Sequence, residues 1–317
     1  MSEWIRVRVT ERRTEAQDIV AFVLEPVVGT LPAYDAGAHI DVKLPNGLIR
    51  QYSLCGSPDR AGCYEIGVLR DAGGRGGSMS MHADVMVGSE IEISPPRNLF
   101  PMAGQQRALL FAGGIGVTPI LAMADHLARR DGDFAMHYCT RSAVRAAFRH
   151  RIDASLFAER VTYHFDDQPD TAMDTAALLA APQAGTHIYV CGPDGFMDHV
   201  LATARAAGWP ESNIHFERFS APIAEPGDND GFEIEIDGTG QVIAVPPSQT
   251  ALDALAAAGF DIPASCEQGI CGTCLTPVTD GIPDHRDMFL SAAEQAANDC
   301  FTPCCSRALT PRLKVRI

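Results

Sequence analysis

No run of this sequence stays apolar for the roughly 18 residues that a membrane-crossing helix needs. Its first residues hold no basic segment followed by an apolar one, so no secretory leader is visible. A cytoplasmic protein with no membrane partner is expected. Basic charge is scarce: 25 Lys and Arg stand against 40 Asp and Glu, a net charge of −15. Nucleic-acid phosphates need a basic face, which excludes nucleic acid as a partner, whereas an acidic protein suits a partner with a positive patch. The G-x-G-x-x-G dinucleotide fingerprint is also missing. Ten cysteines without a secretory context predict reduced thiols rather than disulfides. With 46% hydrophobic and 21% charged residues, the composition is that of a folded globular chain. Its 317 residues are too many for one core and predict two or three domains.

Four of the cysteines carry the most specific pattern. Cys266, Cys271 and Cys274 read C-x4-C-x2-C, and Cys304 follows at a distance. That is the ligand spacing of a plant-type [2Fe–2S] cluster. Structural zinc sites start instead from tighter paired knuckles, although soft thiolates suit either metal and buried structural cysteines are the plain alternative. Gly269 and Gly272 lie between the ligands, where tight positive-φ turns wrap backbone N–H groups around sulfur. Cys305 is the alternative fourth ligand. The other five, Cys55, Cys63, Cys139, Cys191 and Cys300, read with Cys305 as mostly small core residues.

The first hundred residues alternate short β-rich segments with turn residues: 5–10, 19–25, 39–44, 49–54, 64–69 and 90–94. Six strands without a long helix predict a small antiparallel barrel, because closure removes exposed edges. Strand alternation places Arg50 and Tyr52 on one face and Ser53 on the other. A cation beside an aromatic suits an anionic ligand with a flat ring. A glycine-rich stretch ending in Gly77 and Ser78 makes a phosphate cradle if a helix starts there.

Arg-x-Tyr-Ser on a barrel strand, followed by that loop, resembles the flavin domain of the ferredoxin–NADP⁺ reductase superfamily. The resemblance implies that Arg50, Gly77 and Ser78 meet the flavin phosphate, Tyr52 stacks on the isoalloxazine, and Ser53 lies near its reactive nitrogen.

From about residue 106 the period changes to apolar strands alternating with helices, which predicts parallel βαβ units with helices on both faces of the sheet. The first βα turn holds Gly114, Gly116, Thr118 and Pro119, and a later strand ends in Cys191, Gly192 and Pro193. Two glycine turns at the carboxyl edge of one sheet are where open α/β folds bind ligands. Both turns resemble the nicotinamide-domain signatures of the same superfamily, which implies that Gly114, Thr118, Cys191, Gly192 and Pro193 bracket the nicotinamide. Arg141 and Ser142 follow the second strand, where the family holds the adenosine ribose. Arg141, Arg145 and Arg149 either grip a 2′-phosphate or form a solvated helix face; the resemblance to relatives with Arg-Ser at this place implies NADH. Phe219, or Phe216, is the aromatic that the family places beside the flavin; a core role is the alternative.

Residues 221–231, rich in Pro, Gly and acid, read as a linker. Beyond it a hairpin (232–237 and 241–245), a helix (251–258), the cysteine loop and strands at 275–279 and 313–317 fit a β-grasp ferredoxin fold. Residues 228–317 hold 13 acidic and 5 basic side chains. The expected division is a flavin barrel over 1–103, an α/β nucleotide domain over 104–222, a linker over 223–231 and a ferredoxin domain over 232–317.

Over nearly its whole length the chain is similar to the one-polypeptide reductases of two-component Rieske oxygenases, the phthalate dioxygenase reductase and vanillate O-demethylase reductase-component family. The resemblance implies NADH, FMN (with FAD the alternative), a [2Fe–2S] cluster and a terminal oxygenase as electron acceptor. It implies no side-chain acid or base in the hydride step. Other classes consistent with the residues are a stand-alone diaphorase, a reductase for a P450 or diiron hydroxylase, and a redox-sensing flavoprotein.

Overall fold

The computed structural model describes residues 4–60, 62–219 and 230–317. They form two compact units, Met1–Arg218 and Phe219–Ile317.

In the first unit, β1 (Ile5–Ala16), β2 (Ile19–Pro26), β3 (His39–Lys43), β4 (Ile49–Ser53), β5 (Tyr64–Leu69) and β6 (Glu90–Ile93) make an antiparallel sheet in the order β4-β3-β6-β1-β2-β5. A bridge between Leu54 and Ile66 brings the two edges together, so the sheet curls into the expected barrel. Strand β1 runs six residues past the sequence expectation because bulges at Val9/Glu11 and Thr14/Ala16 let it bend with β2. Val7, Val9, Phe22, Leu24, Ile40, Val42 and Ile66 fill the barrel. A short helix, α1 (Gly77–Asp84), follows β5.

The remainder of this unit is a parallel sheet ordered β11-β10-β7-β8-β9. Its elements are β7 (Arg107–Gly113), α2 (Val117–Ala128), β8 (Asp133–Thr140), α3 (Arg149–Asp153), β9 (Val161–Phe165), α4 (Thr175–Leu179), β10 (Thr186–Cys191), α5 (Asp194–Ala206) and β11 (Ile214–Glu217). Leu109, Phe111, Ile188 and Val190 face α5 on one side. Alternate residues Ala108, Leu110 and Ala112 pack with α2 on the other, as two-sided burial of a parallel strand requires. That second core runs on into the barrel through Ile19, Ala21, Cys55 and Phe100. Glu65 of β5, accepting from Arg151 of α3 at 3.0 Å and from Arg13 of β1, adds an ionic clasp along the same seam.

The second unit holds β12 (Phe232–Ile236), β13 (Val242–Val245), α6 (Ala251–Ala257), β14 (Thr276–Asp280), β15 (Pro283–Asp284), α7 (Ala292–Ala297), β16 (Cys300–Phe301), β17 (Arg307–Ala308) and β18 (Arg312–Val315). The mixed sheet runs β13-β12-β18-β14-β16, with β12 and β18 parallel, and α6 packs on it through Ala251, Ala254 and Leu255. Thr250 caps α6 by accepting from the Asp253 N–H at 3.0 Å. Helix α7, absent from the sequence expectation, begins at a reciprocal capping box between Ser291 and Glu294. Residues 223–229 of the expected linker lie outside the described residues.

Candidate functional site

Arg50 and Gly77 meet. A Cβ on Gly77 would stand 2.6 Å from the Arg50 Cγ, so only glycine lets the arginine side chain cross the start of α1. Gly76 precedes the helix at φ 84°, a left-handed turn that exposes the first N–H groups of α1 beside a guanidinium. These donors and this cation fit a phosphate. The Ser78 hydroxyl accepts from the Asp71 N–H at 3.0 Å and closes the glycine loop at the surface. Tyr52, two residues from Arg50, is half-buried against the barrel core, and burial raises its phenol above the ordinary range.

Ser53 points the other way, as alternation predicts. Its hydroxyl donates to Glu217 Oε2 at 3.2 Å, across 164 residues of sequence. Glu217 ends β11 in register with Cys191, the last residue of β10, and 14% of its side-chain surface remains exposed. Burial pushes its carboxyl up to about 8, with the Ser53 hydrogen bond pulling slightly the other way. The Cys191 thiol is fully buried and raised by burial, then by the Glu217 charge. Glu217 was missed by the sequence reading, which weighed only the aromatics around it. The available signal was an acid ending a short apolar strand at the carboxyl edge of a parallel sheet.

The two glycine turns lock together. A Cβ on Gly116 would stand 2.3 Å from the Cys191 carbonyl oxygen, and one on Gly192 would stand 2.8 Å from the Gly113 Cα. Gly114 takes φ 52°, and the Thr118 hydroxyl donates to the Ile115 carbonyl at 3.0 Å, which holds the turn that opens α2. Pro193 begins α5. Arg218 clasps Asp194 and Asp198 of that helix, fixing the chain just after Glu217. Arg141 is exposed and Ser142 half-buried after β8. Arg149 instead lies over Tyr163, 5.2 Å from the ring centre, and pairs with Asp153 at 3.6 Å. Phe216 and Phe219 are partly exposed, and Phe219 falls in the second unit.

In the second unit the cysteines pair through their thiols: Cys266 with Cys271, and Cys274 with Cys304, which Cys305 also reaches. In each pair the shared hydrogen bond lowers one thiol, Cys271 or Cys274, and raises its partner, Cys266 or Cys304. Backbone N–H groups of Gln268 and Thr273 donate to the sulfurs of Cys266 and Cys271 at 3.3 and 3.4 Å. Gly269 and Gly272 have φ of 74° and 66°, and a Cβ at Gly272 would enter the Phe289 ring. Among the described residues no group of three or more Cys, His, Asp or Glu side chains gathers around one ion position. Thiols that meet on this loop, at plant-type ligand spacing, fit a [2Fe–2S] cluster. The Cys305 sulfur sits beside the Thr302 hydroxyl at 3.3 Å and under Gly269. Of the remaining cysteines, Cys55 and Cys191 are buried core residues, while Cys63, Cys139 and Cys300 are half-buried.

Paired thiols in one unit, and in the other a barrel serine bonded to the carboxyl beside Cys191 of a glycine turn, are the equipment of an electron-transfer oxidoreductase. The family description "2Fe-2S iron-sulfur cluster binding domain" matches residues 234–309, and "Dimethylamine monooxygenase subunit DmmA-like, N-terminal domain" matches 90–214. The chain is 54% identical to a vanillate O-demethylase oxidoreductase of a Pseudomonas species, over 96% of this chain and 97% of that one. Among solved structures, phthalate dioxygenase reductase, described as modular for electron transfer from pyridine nucleotides to [2Fe–2S], matches with TM-score 0.80 and 34% identity over 99% of this chain and 98% of that one. An intact self-sufficient P450 monooxygenase matches with TM-score 0.84 and 36% identity over 99% of this chain, but only 41% of that one. The chain belongs to the family of phthalate dioxygenase reductase and vanillate O-demethylase oxidoreductase.

Proposed function

We propose that this protein is the reductase component of a two-component oxygenase, taking electrons from NADH and delivering them through FMN and a [2Fe–2S] cluster to a separate Rieske-type oxygenase or demethylase. The observation that carries the reading is the cysteine loop of Cys266, Cys271 and Cys274 with Cys304, whose backbone N–H groups donate to its sulfurs, within the stretch that matches the iron–sulfur family description. FMN bound to the other unit would supply the conversion of a two-electron hydride donor to one-electron delivery, chemistry that belongs to the cofactors.

The chain's own residues bind, orient and hold a proton. Arg50 and the first N–H groups of α1 hold the flavin phosphate, with Gly77 leaving room for the arginine. Tyr52 packs against the ring system, and Ser53 stands at its reacting edge with Glu217 behind it. Gly114, Thr118, Cys191, Gly192 and Pro193 shape the nicotinamide site. Arg141 and Ser142 face the adenosine side, and Phe219 serves as a flavin-side aromatic. Cys266, Cys271, Cys274 and Cys304 ligate the irons. The working division of the chain remains 1–103, 104–222, the linker 223–231 and 232–317. The acidic character of the ferredoxin part, 13 acidic against 5 basic side chains over 228–317, favours a transient encounter with a basic acceptor surface. A haem acceptor is the second reading, favoured by the likeness to part of a self-sufficient P450.

The test is the purified chain itself. Its absorption should combine flavin and iron–sulfur bands, and extraction should release FMN. NADH should reduce both centres, and a Rieske oxygenase should turn over only when this chain is added. A spectrum without flavin, or dye reduction with no oxygenase turnover for any partner class, sinks the reading.

A further inference from the structure

His39 and Ser53 are cross-strand partners in β3 and β4, and both reach Glu217. Ser53 takes Oε2. The His39 Nδ1 stands 4.0 Å from Oε1, and it has no hydrogen-bond partner among the described residues. Only 4% of the His39 side chain is exposed. Its other nitrogen, Nε2, lies 3.4 Å from Gln51 Nε2, and that amide nitrogen also donates to Asp41 Oδ1 at 3.0 Å. Arg97 in turn donates to both Asp41 oxygens at 2.8 and 2.7 Å.

This sequence of contacts settles where the imidazole proton sits. Only the NH2 end of an amide faces a carboxylate, so the same NH2 faces His39 Nε2 and makes it the accepting nitrogen. The one proton of the neutral ring is then on Nδ1, directed at Glu217. The balance of the surroundings favours a neutral ring. Burial, then the charge of Arg97, pushes His39 down to about 4, with Asp41 pulling the other way. On the Glu217 side, Cys191 is a buried, protonated thiol.

We propose that His39 is a positioning residue for the flavin reaction: acting through Glu217, its Nδ1–H decides how readily that carboxyl gives up its proton. The proposal rests on the placement of Ser53 and Glu217 at the flavin. Oxidation of NADH yields NAD⁺, two electrons and one proton, and the two electrons leave singly through the cluster. One proton per turnover therefore has to reach water, and a carboxyl that ionises near neutrality is suited to hold and release it. At 4.0 Å the contact is too long for a hydrogen bond to the protonated acid. When Glu217 ionises, the N–H is drawn in and favours the carboxylate.

The test uses the full chain with its cofactors. Infrared titration follows the protonated carboxyl band that disappears in Glu217→Gln, and single-turnover kinetics give the pH profile of flavin reduction and reoxidation. His39→Leu should raise the infrared midpoint by about one pH unit or more. His39→Asn, whose amide N–H can stand near the Nδ1 position, should move it less than half as far. The kinetic profile should shift with the band. A midpoint unchanged within about 0.3 pH unit in His39→Leu overturns the proposal. If that variant fails to fold, Gln51→Leu decides: freeing Nε2 to take the proton should also raise the midpoint, and no change overturns the proposal. If the band shifts but Glu217→Gln leaves the kinetic profile intact, the placement at the flavin falls and the positioning role falls with it.

Discussion

The Ser53 hydroxyl donates to Glu217 Oε2 at 3.2 Å and so ties the last residue of a barrel strand to the last residue of the nucleotide sheet. Neither partner is exceptional alone. Together they place a protonatable carboxyl beside the residue proposed for the reacting edge of the flavin, next to Cys191 of the turn proposed for the nicotinamide.

Glu217→Gln should slow reoxidation of the reduced flavin and flatten its pH dependence around about 8, the value to which burial lifts the carboxyl. The same substitution changes stability with a defined sign. A carboxyl raised in the fold binds its proton more tightly folded than unfolded, so the parent loses stability as pH rises from its ordinary range to about 8. Denaturant unfolding of the variant should lack that descending slope, and an unchanged slope would contradict the burial argument.

Cys304→Ser should lose most of the iron and the visible iron–sulfur absorption, while NADH still reduces the flavin. Electron delivery to an oxygenase should fall at least about 10-fold, since loss of even an outer partner of a metal ligand reaches that scale. Cys305→Ser should retain the cluster, because its sulfur is placed beside the Thr302 hydroxyl. The reverse outcome would exchange the two assignments.

At Gly272, φ is 66° and a Cβ would enter the ring of Phe289. Gly272→Ala should therefore cost about 1–2 kcal/mol in backbone strain alone and leave a cluster that is bleached by mild chelation. Gly272→Ala combined with Phe289→Ala should recover part of the iron content, since one of the two penalties is removed.

Gly116→Ala forces a methyl group against the Cys191 carbonyl, where backbone meets backbone and neither side can rotate away. The expected result is a higher KM for NADH with flavin content unchanged, and a stability loss of about 1–3 kcal/mol. Stopped-flow reduction at varied NADH concentrations would show it.

His137 is stacked between Phe111 and His164, with ring centres 5.4 and 5.3 Å away, and its Nδ1 lies 3.0 Å from His164 Nε2. Burial, then the His164 charge, pushes it down to about 4. A histidine lowered in the fold stabilises it above the ordinary imidazole range, and that stability is lost as pH falls toward about 4. His137→Phe should remove part of this acid loss, up to the order of 3 kcal/mol. Thermal unfolding at pH 4.5 and 7.5, taken as about the two ends of that window, would measure it.

Much of the architecture was written in local pattern. The six barrel strands, the βα alternation and the hairpin–helix–cysteine order all follow from period and turn residues, because each element buries one face of a repeating pattern. Helix α7 escaped because its six residues, AAEQAA, offer no apolar period, and its capping box was the only signal. The long β1 escaped because bulges break strict alternation.

The cysteine spacing likewise marked the cluster, because ligand loops are short and their geometry is largely local. What the tertiary structure alone decided is the company that residues keep across long separations. Ser53 met Glu217 across 164 residues, and Glu217 and His39 converged from strands 178 positions apart. The sequence could propose ligands for a metal loop because three of them lie close along the chain. It could not name a buried carboxyl gathered among partners from three different strands, because burial and long-range pairing exist only once the chain has folded.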